Sequence, residues 1–312
     1  MSIYVIGACN IDITATTDKR VIAHDSVPAR ITMDVGGVGH NVALNARHIY
    51  DEVYLVSLFG TDYFGKRAKE HCQKRGLNLS YSNTVDMTHS IYLAILDASG
   101  DMVTAVNDMA IVDAMDYELI KPLEEVITDK DYLMVDNNLS VDLQLEIYKR
   151  LKGCRFTDAI SVSKADKLKS SLAYIDILKV NRYEAEALVD YDFADERSII
   201  EGLNALVQKG VREVILSDKY GAYIANKEAI IRYRHNAYKE HIVNATGAGD
   251  ALLGTYVASL ALGYKKEEAI KQALIAALIT VEDTKTVADI NMDALKKRNT
   301  EQIKGVSIYD KN

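Results

Sequence analysis

The stretch Asn244-Ala-Thr-Gly-Ala-Gly-Asp-Ala-Leu-Leu-Gly254 sets two closely spaced glycines and an acid before a long apolar run, and so reads as a turn opening a buried helix. A helix start leaves unpaired N–H groups and a partial positive charge, and glycines let an anion approach that backbone closely. Asp250 then falls in the first turn, where the same field favours its ionised form. It could take a proton from a hydroxyl attacking a phosphate. A purely structural reading stands beside this one, with Thr246 as N-cap and Asp250 answering the helix dipole.

Working outward, apolar stripes at helical spacing run through Ala269, Ile270, Ala273, Leu274, Ala277, Leu278 and Val281, through Ile199, Ile200, Leu203, Leu206 and Val207, and through Val38, Val42, Ala43, Ala46, Ile49 and Tyr50. Between them lie short apolar runs at Ile3 to Gly7, Val53 to Leu58, Tyr132 to Asp136, Arg155 to Asp158, Ile175 to Val180 and Val214 to Ser217. Each suits a strand covered on both faces. The alternation predicts an α/β fold, a mostly parallel central sheet flanked by helices. Residues 11–35 and 90–106 break the rhythm, the second reading as a hairpin turning at Ser99-Gly100-Asp101. We expect one domain over 1–312, with a small β lid inserted at about 11–35 and 88–107.

Length and composition agree. The 312 residues allow one large domain or two ordinary ones at roughly 150 residues each. Hydrophobic residues make up 48% and the net charge is −8, which argues for a globular protein with a small ligand and against a nucleic-acid binder. Cys9, Cys72 and Cys154 are too far apart in sequence for a disulfide framework or a C-x-x-C site, which points to a reducing, cytoplasmic setting. The first twelve residues reach Asp12 without a basic region, unlike a signal peptide, and the longest apolar run, Ala251 to Gly263, is shorter than the ~20 residues a bilayer requires. His24, His40, His48, His71, His89, His235 and His241 have no partner at metal-ligand spacing and read as surface or packing residues.

A second glycine cluster, Gly36-Gly37-Val38-Gly39-His40-Asn41, again opens an amphipathic helix. Close backbone approach and the Asn41 amide suit a polyhydroxyl ligand, and a simple turn from lid to helix explains it as well. Asn10 and Asp12 follow the first strand. Ligands of open parallel sheets gather beyond the carboxyl ends of strands, where an amide and a carboxylate can grip a vicinal diol. The spacing Gly247-x-Gly249-x-x-x-x-Gly254 does not fit a dinucleotide fingerprint, and no Walker A string occurs.

Together, Gly36-Gly37-x-Gly39-x-Asn41 and the late Gly247-Ala248-Gly249-Asp250 resemble the paired signatures of the ribokinase-like (PfkB) carbohydrate kinases over nearly the whole chain. The resemblance implies an ATP- and Mg²⁺-dependent phosphotransferase. Asp250 would be the base, and the backbone of Gly247, Ala248 and Gly249 the anion hole. Asn10, Asp12, Gly36, Gly37 and Asn41 would hold the acceptor. Thr246, Ser217 and Gly221 would serve the nucleotide, with Asn181 near its phosphates and Glu184 acting through water on the metal. Asn244 stands where the family usually carries an Asp tied to activating potassium, which counts against K⁺ activation; Asp218 stands where a Gly is common.

Four further strings, among them Gly36-Gly37-Val38 and Val135-Asp136-Asn137-Asn138-Leu139-Ser140, are most similar to the family's pseudouridine kinases. The similarity implies phosphorylation of the pseudouridine 5′-hydroxyl, with Asn107, Asp108 and Lys164 toward the base and a homodimer formed through the lid. Ribose, another nucleoside or a fructose-type sugar are the alternative acceptors. A binding protein without turnover is the reading from another class.

Overall fold

The computed structural model describes residues 1–22, 24–235, 242–298 and 303–310. Its main sheet has nine strands in the order β15 (Lys304–Asp310), β14 (Ala229–Arg234), β13 (Gly221–Asn226), β12 (Glu213–Asp218), β11 (Ile177–Asn181), β10 (Cys154–Asp158), β9 (Tyr132–Val135), β1 (Ile3–Ile6) and β4 (Val53–Val56). Strands β4 through β12 run parallel, as expected. The sheet then continues antiparallel through β13, β14 and β15, an extension the sequence reading did not contain.

Side chains alternate across a strand, so each buried strand feeds two cores. Ile3 and Val5 join one core with Val42, Leu253 and Leu274, and Tyr4 and Ile6 join the other with Leu143, Leu188 and Leu206. The first core lies under α1 (Val38–Arg47), α2 (Tyr63–Lys74), α9 (Ala248–Ala261), α10 (Lys266–Val281) and α11 (Met292–Lys297). The second is covered by the short α3 (Ala110–Asp113) and α4 (Tyr117–Ile120), then α5 (Val141–Arg150), α6 (Val162–Leu168), α7 (Arg182–Val189) and α8 (Glu196–Gln208). No helix among the described residues is long and apolar enough to cross a membrane.

A separate four-stranded sheet, in the order β3 (Arg30–Gly36), β2 (Asn10–Thr16), β7 (Ile91–Leu96), β8 (Met102–Asp108), forms the small β lid. Its β7–β8 hairpin turns where Asp97 Oδ1 accepts from the N–H groups of Ser99 and Asp101, at 2.9 and 3.1 Å. A third, two-stranded sheet pairs β5 (Leu58–Gly60) with β6 (Asn83–Val85). Although remote in sequence, the free thiols of Cys9 and Cys72 lie 3.8 Å apart in the core.

Candidate active site

Helix α9 starts at Gly247, whose φ of +83° is left-handed and whose added Cβ would lie 2.0 Å from the Thr286 carbonyl oxygen. Only glycine fits there. Thr246 is not the cap that one reading of the sequence made it: its N–H donates to Asn244 Oδ1 at 2.9 Å, and no side chain caps the helix. The first-turn amides therefore keep no capping side chain in front of them, as an anion site requires.

One turn further on, α9 crosses α1 at close range. A Cβ on Gly254 would sit 2.6 Å from the Val42 carbonyl oxygen, so the missing side chain lets the two backbones meet. That crossing brings Asn41 Nδ2 within 3.0 Å of Asp250 Oδ2. Asp250 is only 9% exposed. Burial, reinforced by the negative charges of Asp158 and Asp136, pushes its carboxyl up to about 7, against the pull of the Asn41 amide and Lys179. Desolvation thus outweighs the helix field from which an ordinary ionised acid was expected. A carboxyl with that affinity can take a proton near neutral pH.

Two cavities meet at this turn. The larger, about 470 Å³, is lined by Asn10, Asp12, Gly37, Asn41, Asn107, Lys164, Thr246 and Asp250. The smaller, about 320 Å³, is lined by Asn181, Ser217, Gly221, Ala248 and Gly249, with an apolar wall from Leu252, Leu274 and Leu278. Asp250 therefore lines one cavity while the neighbouring Ala248 and Gly249 line the other. Thr246, expected beside the nucleotide, lines the larger cavity instead. Gly247, the N-cap, lines neither cavity. Gly36 lines neither cavity and packs on Asp12, whose Oδ2 would be 1.9 Å from an added Cβ.

The lid supplies one wall of the larger cavity. Asn10 Oδ1 accepts from Ser90 Oγ at 2.9 Å, and burial together with Asp34 across the β2–β3 pair pushes Asp12 up to about 6. Asn107 lies within β8, not in a turn, and Tyr92 of β7 joins it on the cavity wall. Asp108 turns away and accepts from the N–H of Ala110 at 3.2 Å. Lys164, on α6, donates to Asn138 Oδ1, and burial holds its ammonium below the usual lysine range.

Three charged residues emerge that sequence reasoning gave no role. Lys179 and Asp158, 9% and 3% exposed, pair at 2.8 Å on neighbouring strands β11 and β10. Burial works against the Lys179 ammonium, but Asp158, Glu184 and Asp250 outweigh it and leave its pKa raised. Asp136, after β9, accepts from the N–H groups of Ala8 and Asn138 at 2.9 and 2.8 Å and from Gly39 at 3.2 Å, tying the first strand to the start of α1. Asp158 and Asp136 lie at the carboxyl ends of parallel strands, where polar function collects, and Lys179 reaches Asp158 from the middle of β11.

Asn181 and Glu184 cap each other at the start of α7: Asn181 Oδ1 accepts from the Glu184 N–H at 3.0 Å, and Glu184 Oε2 from the Asn181 N–H at 2.7 Å. Glu184 lines neither cavity. Among the described residues, no group of three or more His, Cys, Asp or Glu side chains could hold a metal ion. Among the histidines, His24 is exposed, His40, His48, His71 and His89 pack, and His235 lines the smaller cavity; His241 lies outside the described residues. Asp218, also on that cavity, is held by Arg232 at 2.8 and 3.0 Å.

A family model described as pfkB family carbohydrate kinase matches residues 1–292. Among curated proteins, the chain is 28% identical to the pseudouridine kinase of Escherichia coli K12 over 254 residues, 80% of this chain and 81% of that protein. It is 26% identical to the ribokinase of Bacillus subtilis, over 90% of this chain and 92% of that one. Among solved structures, the Thermotoga maritima ribokinase superposes with a TM-score of 0.84 at 23% identity, covering 95% of this chain and 98% of that one, which shows the same fold.

Proposed function

The chain belongs to the pfkB family of carbohydrate kinases, phosphotransferases with an alcohol acceptor, and we propose that this member transfers the γ-phosphoryl group of ATP to the 5′-hydroxyl of pseudouridine. The observation that carries the reading is the first turn of α9, with Asp250 on the larger cavity and Ala248 and Gly249 on the smaller. The larger cavity takes the nucleoside and the smaller takes ATP, so acceptor and donor meet at one helix terminus.

In the reaction, Asp250 accepts the 5′-hydroxyl proton as that oxygen forms its bond to the γ-phosphorus. The bond from phosphorus to the β,γ-bridging oxygen breaks, and its electron pair leaves with ADP. The amides of Ala248 and Gly249 offset charge on the transferring group. Asn10 and Asp12 hold the ribose hydroxyls with Gly37 and Asn41, and Gly36 leaves room for the Asp12 carboxylate. Ser217, Gly221 and Asn181 line the ATP side, and Thr246 bridges toward the acceptor. Glu184 would hold a magnesium ion through water, and the ion would supply positive charge to offset that of the phosphates. A single buried carboxylate committed to a helix cap fits a water-mediated role for Glu184, in keeping with the reluctance of Mg²⁺ to shed water. Asn244, turned onto its own loop, supports potassium-independent turnover.

The 28% identity to a pseudouridine kinase supports the choice of acceptor. So do Asn107 and Lys164 on the cavity wall, polar groups that can pair with the ring. Pseudouridine carries an N1–H that uridine lacks, and a site built to accept from it discriminates strongly. We further propose that two copies pair through the lid in the cytoplasm, since Ile31, Met102 and Val106 of β3 and β8 are exposed apolar residues. The test is an ADP-release assay with ATP and a panel of pseudouridine, uridine, guanosine, ribose and fructose. Turnover highest with pseudouridine supports the assignment, and turnover highest with another member of the panel replaces it.

A further inference from the structure

His40 adjoins Asn41 on α1 but lines neither the acceptor cavity nor the nucleotide cavity. It borders a third cavity of about 200 Å³, together with Asp34, His71, Arg75 and Lys285. Its side chain is 1% exposed, and its Nδ1 lies 3.0 Å from Asn41 Oδ1, the oxygen of the same amide whose nitrogen reaches Asp250. Nε2, on the far side of the ring, is buried and has no hydrogen-bond partner among the described residues.

We propose that His40 is a positioning residue: by donating from Nδ1 to Asn41 Oδ1 it fixes the amide with its NH₂ toward Asp250, and so holds Asp250 in the proton-accepting form. This rests on the reading of Asp250 as the base.

The physical argument concerns what an amide can offer. A carboxylate only accepts, whereas a protonated carboxyl also donates. With its oxygen occupied by His40, the Asn41 amide has only N–H groups left for Asp250, and these favour the ionised carboxylate. Without the imidazole N–H the amide can rotate by half a turn and accept from the acid form, which raises the affinity of Asp250 for its proton. The ring must be neutral and carry hydrogen on Nδ1 for this. Burial keeps it neutral, pushing His40 down to about 3, and the charged or titratable groups His71, Arg75 and His48 press the same way. Asp34 and Lys285 also face that cavity. The bare Nε2 agrees with the Nδ1–H tautomer. Around Asp250 itself stand Asp158, Lys179 and Asp136.

The experiment follows Asp250 directly, by carbon NMR of the full chain labelled at aspartate Cγ, with Asp250 assigned by the signal lost in Asp250→Asn. His40→Leu is expected to titrate Asp250 about one pH unit higher than wild type. His40→Asn, which returns an N–H donor near the Nδ1 position, is expected to restore the wild-type midpoint. Equal midpoints in wild type and His40→Leu overturn the proposal. Should His40→Leu not fold, nitrogen NMR of histidine-labelled wild type decides: a neutral Nδ1–H ring at His40 across about pH 5 to 8 is expected, and an Nε2–H ring overturns the proposal. Neither readout needs an acceptor. A chain that phosphorylates nothing on the panel would therefore defeat the functional reading without touching this one.

Discussion

Asn41 Nδ2 donates to Asp250 Oδ2 at 3.0 Å, a hydrogen bond that joins residues 209 positions apart and ties α1 to α9. It exists because α1 and α9 cross at Gly254. Replacing that residue tests the crossing. In Gly254→Ala the new Cβ meets the Val42 backbone at 2.6 Å. Overpacking of about 1–3 kcal/mol is partly offset by a helix-propensity gain of about 1 kcal/mol. The expected result is a modest loss, roughly 2–4 °C in Tm. Turnover falls more, about tenfold, because the Asn41–Asp250 geometry is disturbed. Tm by calorimetry and kcat on the same sample check both.

The pH dependence follows from the raised carboxyl. As a base Asp250 must be ionised, so kcat is expected to fall tenfold per pH unit below about 7 and to level off above it. A pH profile of kcat at saturating ATP and pseudouridine measures this. A profile flat down to pH 5 removes Asp250 from the rate-determining proton transfer.

Stability carries the same signature with no substrate present. The folded pKa of Asp250, about 7, lies above the 3.8 of an ordinary aspartate, so the folded chain binds the extra proton and loses stability as pH rises from about 4 to 7. Asp250→Asn lacks that slope. Its Tm is expected to match wild type near pH 4 and to exceed it by roughly 5 °C above pH 7. Parallel melting curves over that range check the sign.

The pair Lys179–Asp158 gives a further test. Lys179→Met removes the cation facing Asp158, Glu184 and Asp250 and strands buried negative charge, at a cost of about 3–5 kcal/mol. The double variant Lys179→Met, Asp158→Leu is expected to recover much of that loss, because two charges leave together. Urea unfolding of the single and double variants measures the difference.

Much of this arrangement was legible in the sequence, for identifiable reasons. Gly36-Gly37-x-Gly39-x-Asn41 and Gly247-Ala248-Gly249-Asp250 are local strings in which backbone need and chemistry coincide, and the six parallel strands announce themselves as apolar runs. Asp136, Asp158 and Lys179 were not legible. Asp158 ends β10, Asp136 follows β9 and Lys179 is one polar residue inside the apolar β11, and only the parallel register sets Lys179 beside Asp158. Strands β13 to β15 also escaped. Gly221–Asn226 and Ala229–Arg234 mix tyrosine, arginine and small residues, and β15 pairs with β14 across some seventy intervening positions. The fate of Asp250 turned on magnitude: the sequence shows the helix terminus that ionises an acid and hides the burial that opposes it.

The lid bears on wasteful hydrolysis. Water in the site competes with the acceptor hydroxyl, so a lid that completes the cavity with Asn10, Asp12 and Asn107 is expected to keep ATP hydrolysis at least tenfold slower without pseudouridine than with it. ADP release in the two conditions gives the ratio, and equal rates would remove the lid from the mechanism.

The most direct measurement is single-turnover phosphoryl transfer from ATP to pseudouridine by wild type and Asp250→Asn, with nucleoside binding measured on both. The account predicts a rate lower by about 10³-fold in the variant, within the range a positioned base contributes, and a nucleoside Kd changed by less than about threefold. Transfer at a near wild-type rate in Asp250→Asn would contradict it.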